Sequence, residues 1–141
     1  MDEPDRDLGA MLYALTRAVL DAEIPVLRAH DVEMWDYAVL SGLERGAAST
    51  QSELAASVGR DKTRLIPILD RLEARGLLRR TPDPADRRNK VVALTAPGRA
   101  VLAGCRAAIR GMEDDLLADL DDAEQRALRA TLAKLMRAWA P

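Results

Sequence analysis

Apolar residues recur every three or four positions along most of this chain, which is the spacing of amphipathic helices. The pattern predicts six helices, over about residues 7–29, 33–45, 51–57, 62–75, 97–120 and 121–139. After the fourth helix, two short β-capable runs flank a turn-rich polar stretch, which predicts a β-hairpin over about residues 77–94. The expected fold class is therefore mainly α with a small β-hairpin.

Polar residues mark the starts of the two central helices. Thr50 and Glu53 have the spacing of a capping box, in which each side chain satisfies a free backbone amide of the other. Asp61 can cap the following helix, and Gly59 lies in the tight turn between the two. These signals predict a helix-turn-helix arrangement.

The first helix and the last two helices carry more apolar surface than a small core would cover. Pairing with a second copy of the chain would bury this surface, and packing within one subunit is the alternative. We expect one domain over residues 1–141 that forms a homodimer through 7–29 and 97–139. Pro25 is expected to disturb the first helix, because proline lacks the amide donor.

The composition is that of an ordinary globular chain, with 48% hydrophobic and 31% charged residues, but its charge is segregated. The net charge is −2, yet residues 60–90 hold ten Lys and Arg against five Asp and Glu. A locally basic segment predicts contact with a polyanion such as nucleic acid, whatever the total charge.

Several function classes have no matching motif. The sequence has no Gly-rich phosphate loop, no Gly-x-Ser-x-Gly elbow and no carboxylate pair of catalytic character, so we expect no enzyme. With one His and one Cys, we expect no metal, no cofactor and an inert, buried Cys105. No apolar run approaches the length of a membrane-spanning helix, which favours a cytoplasmic location.

One side of the fourth helix combines arginines with small residues and is a candidate contact surface for the nucleic acid that the local positive charge predicts. At 100° per residue, this side carries Arg60, Thr63, Arg64, Pro67 and Arg71, away from the leucines. Arg64 is the best candidate to contact a base, because a guanidinium can donate two hydrogen bonds to guanine. A merely solvated helix face is the alternative interpretation.

A longer stretch carries a family resemblance. The segment TQSELAASVGRDKTRLIPILDRLEARGLLRRTPDPADRRNKVVALTAPGR, residues 50–99, resembles the MarR family of winged helix-turn-helix transcription regulators. Its most specific part is DPADRRNKVVALT, residues 83–95, and the order of helices extends the likeness along nearly the whole chain. The resemblance implies a winged helix-turn-helix DNA-binding lobe, residues 33–95, between N- and C-terminal dimerisation helices.

The resemblance also implies roles for individual elements. The helix at 62–75 would enter the major groove, the helix at 51–57 would brace it on the backbone, and the hairpin, or wing, would reach the minor groove. In the wing, one arginine of the Asp86-Arg87-Arg88 run would enter the minor groove and the carboxylate would hold the other, with the assignment open. A soluble turn without function is the alternative. The expected DNA-contacting residues are Thr50, Gln51, Ser52, Arg60, Lys62, Thr63, Arg64, Pro67, Arg71, Arg87, Arg88, Asn89 and Lys90, with Asp86 orienting the wing.

Pro67 departs from the family pattern, in which Arg or another polar residue is common at this position. Proline removes one amide donor and crowds the carbonyl of Thr63, so we expect a local kink. Our hypothesis is that Pro67 replaces a polar base contact with an apolar one, for example to a thymine methyl group.

The resemblance further implies a regulator, more often a repressor than an activator, that responds to a small anionic or aromatic molecule. Near the predicted junction of lobe and dimerisation helices lie Tyr13, Arg17, His30 and Trp35. Arg17 and His30 could meet a carboxylate while Trp35 stacks on a ring. The alternatives are core packing for the two aromatic residues, a surface position for Arg17, and for the whole chain a winged-helix module that binds protein.

Overall fold

The computed structural model describes residues 6–45 and 49–139, and in these it contains six helices and three strands. Their bounds are α1 Leu8–Arg28, α2 Met34–Arg45, β1 Ser49–Thr50, α3 Gln51–Val58, α4 Lys62–Ala74, β2 Leu78–Pro82, β3 Lys90–Leu94, α5 Ala96–Leu116 and α6 Asp122–Trp139. The prediction of a mainly α fold with a small β-hairpin is confirmed.

Side-chain caps begin the helices where the polar pattern indicates. The caps are Asp7 for α1, Thr50 for α3, Asp61 for α4, Thr95 for α5, and Asp121 before α6. Gly59 ends α3 in the left-handed conformation, with φ of 69°, which a residue with a side chain rarely adopts. The tight turn between α3 and α4 is therefore confirmed.

The first helix runs through Pro25 to Arg28, close to the predicted bounds of 7–29, whereas the end of the fifth helix needs correction. The fifth helix ends at Leu116, about four residues earlier than predicted, and the chain turns before α6 begins. The side-chain amide of Gln125 donates to the carbonyls of Leu117 and Leu120, which gives this turn the partners that a continued helix would have supplied.

The hairpin belongs to a three-stranded antiparallel sheet in the order β1-β3-β2. β2 pairs with β3 from Leu78 opposite Leu94 to Pro82 opposite Lys90. β1, which the sequence analysis did not predict, places Thr50 opposite Val91. The residue that caps α3 is therefore also paired to the wing, which joins the helix-turn-helix to the hairpin.

The core lies in two neighbouring clusters. The larger one fills the space between α2, α3, α4, the sheet and α5, and it buries the predicted stripe of α4, namely Leu65, Ile68, Leu69 and Leu72. The smaller one joins the end of α1 to α5 through Leu27, Val32, Cys105 and Ile109. Cys105 is fully buried, as expected, and desolvation raises its thiol pKa.

The outer helices contribute little to either cluster. α6 has no buried residue and α1 has only Leu27. Large apolar side chains of these helices are exposed, namely Leu8, Met11, Leu12, Tyr13, Leu15, Leu20, Leu128, Leu132, Leu135, Met136 and Trp139. None of the described helices is long and apolar enough to cross a membrane.

The start of α5 is docked closely on the base of the wing. A Cβ added to Gly98 would lie 1.9 Å from the carbonyl oxygen of Leu77, so no larger residue fits there. Thr95 reinforces the contact, because its hydroxyl donates to the Gly76 carbonyl at 2.6 Å and accepts from the Gly98 amide at 3.1 Å. The wing and α5 therefore share a fixed junction.

Candidate nucleic-acid interface

The outer face of α4 is exposed as the helical projection predicts. Lys62, Thr63, Arg64 and Pro67 are all exposed, opposite the buried leucine stripe. The guanidinium of Arg64 lies 3.4 Å from the Asp61 carboxylate, and the Arg64 side chain is 72% exposed. It can therefore reach a ligand without breaking a buried interaction.

Pro67 lies inside α4, which runs on without a break to Ala74. Since proline has no amide hydrogen, the Thr63 carbonyl loses its helical donor on the same exposed face. α4 therefore presents an acceptor and an apolar ring side by side.

Two arginines on the projected face are held by α2. Arg71 donates to Asp36 at 2.5 Å, and this carboxylate is only 1% exposed. Arg60 lies over the ring of Trp35, 4.0 Å from its centroid. Both are expected to contact DNA. The Arg71 side chain is 50% exposed, so it can reach a ligand while it donates to Asp36, whereas the Arg60 guanidinium faces the Trp35 ring. Helical periodicity alone does not show these contacts with α2.

Of the α3 residues expected on DNA, Ser52 is exposed, whereas Thr50 is half-buried with its hydroxyl accepting from the Glu53 amide. Gln51 is 6% exposed and its side-chain oxygen accepts from Arg80 at 3.4 Å. This differs from the expectation for Gln51, whose amide side chain faces the protein rather than solvent.

The tip of the wing is ordered by its own backbone bonds. The Asp86 carboxylate accepts from the backbone amide of Arg88 at 3.1 Å, and the Asp83 amide donates to the Asn89 carbonyl. Among the described residues no ion pair joins Asp86 to Arg87 or Arg88, so the expected carboxylate–guanidinium pair does not form. Asp86 orients the tip through the main chain, and both arginine side chains are exposed beside Asn89 and the exposed Lys90.

Arg80 is a residue of this surface that the sequence analysis missed. Its side chain on β2 is 11% exposed and contacts Asp70 and Glu73 of α4. A hydrogen bond from Arg80 is the main cause that lowers the pKa of Glu73. The available signal was the spacing of Asp70 and Glu73, three residues apart on a helix that precedes a basic strand. The sequence does not show which of the adjacent arginines, 79 or 80, folds back on them.

The four candidate ligand residues do not converge on one cavity. Tyr13 is 66% exposed and Arg17 is exposed on α1. His30 lies beside Gly104 of α5, and Trp35 is 39% exposed with the Arg60 guanidinium over its ring. A cavity of about 440 Å³ between α2, α3 and α5 has other lining residues, among them Met34, Tyr37 and Arg106. No group of three or more metal-ligating side chains is brought together in the described part of the chain.

Comparison with known proteins gives the same assignment from three directions. A profile of the MarR family matches residues 33–90. The transcriptional regulator HosA of Escherichia coli O111:H- is 32% identical over 108 residues, which cover 77% of this chain and 80% of that protein. A regulatory protein of Thauera aromatica, named for the hcr operon, is 32% identical over 101 residues, but the match spans 61% of its length and 72% of this chain.

Solved structures extend the likeness to the whole fold. A transcriptional repressor, CouR, solved on a 23-mer DNA duplex, superposes with a TM-score of 0.82 at 30% identity, over 96% of both chains. The winged helix-turn-helix fold predicted from the sequence is therefore confirmed. With a relative 32% identical over four fifths of its own length, this chain belongs to the MarR family of transcriptional regulators.

Proposed function

We propose that this protein is a homodimeric repressor that binds a pseudo-palindromic site in duplex DNA. The observation that carries the proposal is the joint exposure of Arg64 on α4 and of Arg87 and Arg88 at the wing tip. A helix of this size fits the major groove, and arginines on a narrow hairpin suit the minor groove beside it. Both elements extend from one packed core.

The individual contacts follow from the side chains that remain exposed. Arg64 would read guanine, Pro67 would meet a thymine methyl group, and Ser52, Lys62 and Lys90 would contact phosphates. The relative solved with DNA and named as a repressor supports both the ligand and the sign of regulation. Regulation of this kind would take place in the cytoplasm.

The exposed apolar faces of α1 and α6 support the dimer, because a monomer would leave them in water. A twofold axis between such faces would place two copies of α4 about one turn of DNA apart, roughly 10 bp between half-site centres. The target would then be a symmetric pair of half-sites.

Selection of bound sequences from random DNA tests the proposal directly. We expect a pseudo-palindrome, and we expect Arg64→Ala to relax the preference at one position in each half-site at a cost of about 1–3 kcal/mol. A single asymmetric half-site bound by a monomer would contradict the dimer.

Salt dependence separates DNA binding from the alternative, a protein-binding winged helix. Affinity for DNA should fall linearly with the logarithm of salt, and replacing Arg87 and Arg88 by Ala should make that slope shallower. Arg126→Ala, on the exposed polar side of α6, is the control that should leave the slope unchanged. A flat salt response would favour the protein-binding alternative.

The sign of regulation and the proposed effector are tested by separate measurements. Deleting the gene should raise transcription from the selected site, whereas a fall would make the protein an activator. For the small anionic or aromatic effector, Arg17 and His30 remain the proposed carboxylate contacts and Trp35 the proposed stacking residue, with Tyr13 the fourth candidate, although the four line no common cavity in the subunit. If calorimetry with aromatic acids gives no heat, and these acids do not change the affinity for DNA, the proposed effector site is wrong.

A further inference from the structure

Arg80 joins the wing to both helices of the helix-turn-helix. Its guanidinium donates to Glu73 at 2.9 Å, to Asp70 at 2.5 Å and to Gln51 at 3.4 Å. Its backbone amide also donates to the second carboxylate oxygen of Glu73 at 3.0 Å. One residue of β2 thus contacts two residues of α4 and the first residue of α3.

These contacts suit an arginine better than any other side chain. The guanidinium is planar and carries five donors in a fixed fork, so one group can meet two carboxylates and an amide oxygen together. The side chain is 11% exposed and Gln51 is 6% exposed, which shields the contacts from water. A lysine in this place would keep the charge but lose the fork.

The two carboxylates lie beside the surface that faces DNA. Asp70 and Glu73 are one helical turn apart on α4, and Pro67 precedes Asp70 by three residues, so all three lie along neighbouring positions of the helix. Asp70 is still 59% exposed and Glu73 39% exposed. Without a cation between them, both would repel a nearby phosphate.

We propose that Arg80 is a positioning residue for DNA binding, which holds the wing at one angle to α4 and offsets part of the negative charge of Asp70 and Glu73. The proposal rests on the proposed function, since only a DNA-bound protein must place Arg64 and the wing tip in adjacent grooves at once. Arg80 touches no DNA itself, because its guanidinium is turned into the protein. Holding the two contact elements in place before binding lowers the ordering cost of binding.

The first test uses the free protein. The variants are Arg80→Gln and Arg80→Lys, with Arg79→Gln as the matched control on the same strand, where the side chain is exposed. NMR order parameters of the wing-tip amides, residues 83 and 85–89, should fall relative to those of α4 in Arg80→Gln. They should fall less in Arg80→Lys and stay unchanged in Arg79→Gln.

The second test is a double-mutant cycle on the selected DNA site. Arg80→Gln should weaken binding about tenfold, and the loss caused by Arg87→Ala with Arg88→Ala should shrink severalfold in the Arg80→Gln background. A loosely held wing cannot place its arginines, so their removal costs less. The same cycle with Arg79→Gln should be additive.

The outcomes separate the two proposals. Unchanged wing order parameters together with additive losses would contradict the positioning role, even if the protein binds DNA well. If the wild-type protein selects no DNA site, the proposed function fails and the positioning role falls with it, while the order parameters still report whether Arg80 holds the wing. If Arg80→Gln does not fold, Arg80→Lys carries both measurements, because it keeps the charge and the aliphatic stem.

Discussion

The region between α2 and the start of α5 and the region formed by α1 and α6 satisfy their apolar residues in different ways. The first buries its leucines within one subunit, including Leu40, Leu65 and Leu72, each 0% exposed. The second leaves most of its apolar side chains in contact with solvent, and α6 buries none. Both regions have amphipathic helices, so the difference lies in where each helix face finds its partner.

This difference indicates which residues determine the folding of one subunit and which determine its association. The buried region has a core, capped helices and a sheet, so one subunit supplies the interactions that hold α4 and the wing in place. In the proposed dimer, a second subunit would bury the exposed faces of the outer helices. Substitutions in the first region should therefore change the stability of the subunit, and substitutions in the second should change association.

The largest effect is expected at the junction of wing and α5. Gly98→Ala places a methyl group 1.9 Å from the Leu77 carbonyl, which forces the backbone apart and should cost about 3 kcal/mol or more. Urea unfolding measures the loss. Gly111→Ala, in the same helix with nothing within 4 Å of the added methyl, should instead stabilise the protein by about 0.5–1 kcal/mol. Equal effects at the two glycines would show that the junction is not tight.

An intermediate effect is expected on the outer helices. Leu15→Asp with Met136→Asp should weaken dimerisation by about a hundredfold, because each change puts a charge into the proposed interface. The two side chains are 62% and 72% exposed, so the single subunit should lose little stability. Analytical ultracentrifugation measures association, and Arg126→Asp, an exposed polar position on α6, is the control. An unchanged dimer would place the interface elsewhere.

The smallest effect is expected in the pH dependence of stability. Protonation of one carboxyl group in each region should change the free energy of unfolding in opposite directions. The Arg80 hydrogen bond lowers the folded-state pKa of Glu73, so its contribution to stability is complete above the unfolded pKa, about 4.3, and is lost as pH falls through the folded pKa. In α1, desolvation and then Glu113 raise the pKa of Glu23. Its ionised form therefore destabilises the fold above that raised pKa, and the penalty disappears as the carboxyl protonates.

Two variants separate these contributions by urea unfolding between pH 3 and pH 7. Glu73→Gln should be less stable than wild type near neutral pH and should approach it in acid. Glu23→Gln should be slightly more stable near neutral pH, and the difference should also vanish in acid. Both effects should be modest, because the groups are partly exposed and solvent screens them. The same sign for both variants would contradict the assigned pKa directions.

Local signals in the sequence predicted the order of the elements well. Thr50, Asp61 and Thr95 cap helices because their oxygens accept from amides three residues away, and that chemistry needs no distant partner. The periodic leucines of α4 predicted its buried stripe for the same local reason. β1 was missed because a two-residue strand has no pattern of its own and exists only through its pairing with β3.

Long-range pairing adds contacts to the candidate site that the sequence pattern does not show. Arg60 and Arg71 look free on a helical projection, but their partners Trp35 and Asp36 come from α2, well separated in sequence. Arg80 likewise depends on a strand folding back on α4. The sequence places charges on a face, but only the packing of elements decides which charges remain available to a ligand.

The exposed face of α4 has a consequence for how this protein could change over evolutionary time. Thr63, Arg64 and Pro67 lie outside the core, whereas Leu65 and Leu69, interleaved with them, are fully buried. If these three positions contact bases as proposed, substitutions there would alter which DNA sequences are recognised and leave the buried stripe of α4 intact. Lineages that share this fold could thus acquire new regulatory targets through very few codon changes.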